Sequence, residues 1–65
     1  MKADTNKLRL AMARACMNTQ DLARAAAMPP QTVNGVLRER GVRPATLGRI
    51  AKALDVDVTE IIKEE

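Results

Sequence analysis

The stretch NTQDLARAAAMPPQTVNGVL (Asn18–Leu37) contains two short helical patterns on either side of a proline pair. Asn18, with Asp21 three positions later, fits a capping box at the start of the first pattern. Pro29 disfavours the α conformation of the residue before it, so the first helix must end and the chain must turn. Pro30 suits the first position of a new helix, where its missing N–H needs no partner.

Two short helices joined by a tight turn form a helix-turn-helix motif, here covering about residues 19–39. Apolar residues at helical spacing continue on both sides of it. The motif lies within a chain whose predicted helices run from about 5 to 15, 18 to 26, 30 to 40, 44 to 54 and from 57 to 62.

The predicted helix ends carry recognisable signals. Asp4 or Thr5 can cap the first helix, and Asp57 with Glu60 forms a second capping box at the start of the fifth. Gly41 is the expected left-handed stop after the third helix. No alternating apolar pattern reaches the length of a strand, since VDV is too short. The sequence therefore predicts one all-α, compact, five-helix domain covering residues 1–65.

The composition excludes several function classes. The 65 residues include no aromatic side chain, which rules out a base-stacking platform. Zero histidines and a single cysteine leave no zinc site and no usual general base. No phosphate-binding glycine loop is present either. We therefore expect no enzyme activity, no metal and no cofactor.

The first residues are polar, and no apolar run approaches the length of about 20 residues that spans a bilayer. Cys16 has no second cysteine with which to form an internal disulfide. These features predict a cytoplasmic protein without a membrane partner.

The chain carries a formal charge of +3, with 11 basic and 8 acidic residues. Charge of this size fits a nucleic-acid binder or a merely solubilising surface equally well. Its position favours the first, because RERGVR (Arg38–Arg43) places three arginines at the end of the third helix and directly after it.

The order of these patterns resembles the phage lambda-repressor and Cro-like helix-turn-helix proteins, also called the xenobiotic-response-element family. The resemblance covers about Leu8 to Ile62. Its strongest part is ATLGRIAKALDVDVTEII (Ala45–Ile62), since the family commonly shows Thr-Leu, an Ile-Ala-Lys-Ala-Leu core helix, a Val-containing turn and a closing amphipathic helix.

The resemblance implies that the third helix reads the major groove of double-stranded DNA with its first turns. The residues implied to contact bases are Gln31, Thr32, Asn34 and Gly35. Those implied to contact phosphates are Asn18, Thr19, Gln20, Arg38, Arg40 and Arg43. Among them Gln31 is the strongest candidate, because its amide can bond N6 and N7 of adenine together.

The function implied is a sequence-specific transcriptional regulator, with repression as the expected direction and a homodimer on a two-fold operator. An alternative is a protein-interaction module of the same fold, an anti-repressor or antitoxin that does not bind DNA. Pro30 and Gly35, at positions where relatives read bases, favour this alternative. The basic loop after the third helix argues against it.

The chain departs from the family pattern at several positions. Ala27 stands in the turn where many members have glycine, so a left-handed conformation there would be strained. Met12 and Leu37 replace a common arginine–glutamate pair and are expected in the core. Cys16, where a glycine is usual, is expected to be a buried or half-buried thiol. Gly35 either weakens the third helix or lets it approach DNA closely.

Overall fold

Four α-helices and one turn of 3₁₀ helix make up the regular structure of residues 1–63, the part of the chain that the computed structural model describes. Apart from an antiparallel bridge between Ala3 and Ile62, these residues form no extended pairing. The all-α prediction is therefore confirmed. The elements are α1 (Thr5–Arg14), α2 (Thr19–Ala25), α3 (Pro30–Leu37), α4 (Pro44–Ala53) and the 3₁₀ turn (Val58–Glu60).

The helices begin where the sequence predicts. The Asp4 carboxylate caps α1 by accepting from the Lys7 N–H at 3.0 Å. At the start of α2, the Asn18 side chain accepts from the Asp21 N–H at 2.8 Å, and the Asp21 carboxylate accepts from the Asn18 N–H at 3.2 Å. A proline occupies the first position of both α3 and α4, and neither helix has a side-chain cap.

The fifth predicted α-helix is wrong in type, because residues 58–60 form a single 3₁₀ turn. The capping box that starts it is present: the Asp57 N–H donates to the Glu60 carboxylate at 3.3 Å, and the Asp57 carboxylate accepts from the Thr59 N–H at 2.9 Å. The Asp57 carboxylate also accepts from the Thr59 hydroxyl at 2.8 Å. These bonds to Thr59 hold the pKa of the Asp57 carboxyl below its ordinary range. Continuation as an α-helix is prevented by residues 61–63, whose backbone pairs with residues 2–4.

All four α-helices end in the same way, with a non-glycine residue in the left-handed conformation. These residues are Cys16 (φ 56°), Ala27 (φ 56°), Glu39 (φ 61°) and Asp55 (φ 57°). In α2, the Ala27 N–H donates to the Arg24 carbonyl at 3.2 Å and the Met28 N–H donates to the Ala23 carbonyl at 2.9 Å. Equivalent pairs of bonds close the other three helices, so each end is a Schellman motif.

The structure corrects three predictions about the helix ends. The third helix ends at Leu37 rather than near Arg40, and Glu39 rather than Gly41 is its left-handed stop. Val42 is buried, so the chain must leave the helix early enough to carry this side chain back to the core. Cys16 is exposed rather than buried or half-buried. Ala27 adopts the left-handed conformation that strains an alanine.

The core is built from aliphatic side chains contributed by every helix. The largest completely enclosed side chains are those of Leu8, Leu22, Val33, Leu47, Ile50 and Ile61. Met12 is buried and Leu37 packs against the same cluster, so the apolar placement predicted for both is confirmed. Ala3 and Val42, which the apolar patterns did not identify, are also buried in this core.

Hydrogen bonds to the backbone carbonyls of the first two residues hold the loop after α3 and the last described residues in place. The Val42 N–H donates to the Met1 carbonyl at 2.8 Å, and the Lys63 N–H donates to the Lys2 carbonyl at 2.9 Å. Within residues 1–63, no helix has the length and apolarity needed to cross a bilayer.

The strained helix ends predict opposite effects for the same substitution at two nearby alanines. Ala27→Gly removes the cost of a left-handed L-residue and should stabilise the protein by up to about 1 kcal/mol, after the extra flexibility of unfolded glycine is subtracted. Ala25→Gly, in the last helical position of α2, should destabilise it by about 0.5–1 kcal/mol. Urea unfolding measures both. A loss of stability in Ala27→Gly would contradict the strain at this position.

Candidate nucleic-acid interface

The orientation of α3 is set by two valines that face the core. Val33 and Val36 are 0% and 4% exposed. With these positions inward, the opposite side of the helix lies at the surface. Gln31 and Asn34 are exposed there, while Thr32 and Gly35 are half-buried. The four residues predicted to contact bases thus all reach solvent, on a helix that begins with the exposed Pro30.

The start of α2 presents Asn18, Thr19 and Gln20, the first group predicted to contact phosphates. Asn18 and Gln20 are exposed and Thr19 is half-buried. Both the side chain and the N–H of Asn18 are already bonded to Asp21, whose carboxylate adds negative charge at this helix end. The donors left to meet an anion here are therefore the side-chain NH2 of Asn18 and the groups of Thr19 and Gln20.

The loop after α3 carries the other predicted phosphate contacts, Arg38, Arg40 and Arg43, and all three are exposed. The acid within this loop, Glu39, faces the Lys63 ammonium, with 3.7 Å between Oε1 and Nζ. An exposed pair of this kind contributes little to stability. The pair matters more for the charge of the interface. Since Glu39 faces Lys63, no acidic group among residues 1–63 lies within ion-pair distance of the three arginines.

A groove runs between the outer face of α3 and the loop that follows it. Its lining brings together Gln31, Thr32 and Gly35 from the helix with Arg40 and Arg43 from the loop. Thr46, in the first turn of α4, also lines this groove and was not identified from the sequence. Asn34, Arg38 and the start of α2 lie outside it, so the predicted residues do not form a single cluster.

Gly35 is not required by the packing of the protein itself. A Cβ at this position would have the Arg40 Cδ as its neighbour at 3.7 Å, an ordinary van der Waals distance. The residue is helical and its φ is not positive. Neither a close contact nor a special backbone conformation therefore accounts for a glycine inside α3, where it lowers helix propensity.

Comparison with known protein families identifies a match over most of the chain. The family model described as the Cro/C1-type HTH DNA-binding domain matches residues 7–65. No curated protein and no solved structure matches the chain. The matched range includes α1 from its third residue, both helices of the motif, and the groove beside α3.

The open space at Gly35 predicts that an alanine is accepted there. Gly35→Ala should raise the free energy of unfolding by about 0.5–1 kcal/mol, because alanine is the better helix former and its methyl group meets no obstacle. Urea unfolding of the wild type and the variant measures the difference. A destabilised Gly35→Ala would mean that the helix requires glycine for its own packing.

Proposed function

The chain belongs to the Cro/C1-type HTH DNA-binding domain family, and we propose that it is a repressor that reads the major groove of a specific double-stranded DNA site with α3. The observation that carries this proposal is the groove beside α3. It combines exposed amide and hydroxyl groups with arginines that no described acidic group neutralises. The alternative of an interaction module that does not bind DNA is not favoured, because the groove keeps the positive charge of Arg40 and Arg43 that phosphate binding requires.

Base readout in this proposal comes from the outer face of α3. Gln31 lies in the first turn and can bond adenine N6 and N7 with the two ends of its amide. Thr32 beside it can bond a base or contact a thymine methyl group, and Asn34 can reach a base or a neighbouring phosphate. Pro30 offers neither a side-chain donor nor a backbone N–H, so Gln31 is the first residue of the helix with base-reading chemistry.

Phosphate contacts come from the two ends of the motif. Asn18, Thr19 and Gln20 meet one strand from the start of α2, and Arg38 and Arg43 provide charge from the loop after α3. Charge-assisted bonds of this kind supply affinity without reading sequence. Binding should therefore weaken steeply as salt displaces the protein from the phosphates.

A gel shift with random duplex DNA, followed by selection of bound sequences, tests this function. The wild type should bind at about 50 mM salt and lose affinity as salt rises. Gln31→Ala should relax base preference at one position, whereas Arg43→Ala should weaken all sequences alike and reduce the salt slope by about 1.

The matched control is Arg49→Ala, which removes the same charge from an exposed position on α4 outside the groove. It should leave sequence preference unchanged and alter the salt slope less than Arg43→Ala does. Absence of any shift at the lowest salt would reject DNA binding. An unchanged slope in Arg43→Ala would reject the phosphate contact assigned to this residue.

We further propose that two copies bind a two-fold operator through a shallow groove between α1 and the 3₁₀ turn. Leu10, 52% exposed, lies in this groove beside the half-buried Val56. Lys7 and Arg14 supply positive charge from α1, and Glu60 supplies negative charge from the opposite side. A two-fold axis would place each basic wall against the partner's acidic wall and bring the two Leu10 side chains into the apolar centre.

This dimer predicts that Leu10→Glu separates the two copies without harming the DNA-reading helix. Sedimentation should show a monomer at concentrations where the wild type is dimeric, and binding to a two-fold site should lose its cooperativity. Affinity for a single half-site should stay the same. Ala13→Glu, on the same helix but outside the groove, is the control and should remain dimeric. A dimeric Leu10→Glu would rule out this interface.

A further inference from the structure

We propose that Arg40 reads a guanine from the groove beside α3, with its stem running past Gly35. This inference deepens the proposed function and rests on it. The sequence implied only a phosphate contact for Arg40, an assignment that requires positive charge and no particular orientation. Three features of the structure give this side chain an orientation.

The first feature is the backbone anchor of Arg40. Its N–H donates to the Gly35 carbonyl at 3.2 Å, as part of the Schellman motif in which Glu39 is left-handed. The residues at the equivalent position after α1, α2 and α4 are Met17, Met28 and Val56, and all three pack against the core. Arg40 instead is exposed. The motif that elsewhere directs an apolar side chain inward here holds an arginine at the surface.

The second feature is the path of the arginine stem. The Arg40 Cδ lies 3.7 Å from the position that a Cβ of residue 35 would occupy, so the stem runs alongside the glycine. Gly35 is one helical turn from Gln31, and both residues line the groove together with Arg40. The guanidinium extends from this Cδ. It therefore starts at the face of α3 that carries Gln31.

The third feature is the absence of a competing acid. Among residues 1–63, no carboxylate lies within ion-pair distance of Arg40, while the adjacent Glu39 faces Lys63. The planar guanidinium is free to donate two parallel hydrogen bonds to O6 and N7 of guanine, the pairing that suits its geometry. Because its backbone N–H is already bonded to the Gly35 carbonyl of α3, less backbone freedom is lost on binding than for an arginine in an unsupported loop.

Arg40→Lys separates base reading from phosphate contact, because lysine keeps the charge and loses the planar pair of donors. Selection from a random duplex library should give a wild-type motif with guanine at one position, preferred about tenfold over other bases. Arg40→Lys should lose this preference and keep the wild-type salt slope. Arg43→Lys, the matched change in the same loop, should select the complete wild-type motif.

Gly35→Leu tests the space itself, since its side chain would occupy the path of the Arg40 stem. It should lose the same guanine as Arg40→Lys, and a thermal melt of each variant shows that it is folded. If Gly35→Leu retains the guanine, the role given to Gly35 is wrong. If Arg40→Lys selects the wild-type motif, Arg40 contacts only phosphate and the inference is rejected. If the wild type selects no motif, the proposed function fails, and this inference fails with it.

Discussion

The burial of Val33 and Val36 is the constraint on which the surface of this protein depends. These two side chains fix the rotation of α3 about its own axis, because turning the helix would expose them and bury polar groups in their place. The burial of the two valines therefore determines which side chains of α3 lie at the surface and can contact another molecule. Pro30 also helps to define this surface. It is the first residue of α3, so the exposed amide of Gln31 lies in the first turn of the helix.

The helix ends determine how the rest of the chain reaches that surface. A left-handed residue after each α-helix reverses the chain sharply and directs the next residue back toward the helix it has just left. Using non-glycine residues at all four positions costs about 1–2 kcal/mol at each. Apolar residues at the next position offset part of this cost after α1, α2 and α4 by packing against the core. After α3, the exposed Arg40 provides no such burial.

The sequence predicts what local chemistry controls. Capping side chains, helix-starting prolines and apolar spacing give the all-α class, the beginning of each helix and the inward face of α3. It does not predict what depends on distant residues. The final turn is 3₁₀ because residues 61–63 pair with residues 2–4. Val42 is buried beneath a backbone bond to Met1, and this burial shortens α3 at a point where Gly41 suggested a longer helix.

The same distinction applies to the candidate interface. Family resemblance identifies the exposed residues of α3, because their positions follow from helical spacing. It does not predict that Arg40 lies beside Gly35, since this depends on Glu39 adopting a conformation that glutamate rarely adopts. A glycine that weakens α3 and a strained glutamate after it are each unfavourable for stability. Together they place a guanidinium next to the helix face where Pro30 and Gly35 contribute no side chain able to read a base. A left-handed residue follows every α-helix of the protein, so the unfavourable choice that belongs to this surface alone is Gly35, which neither packing nor backbone conformation requires.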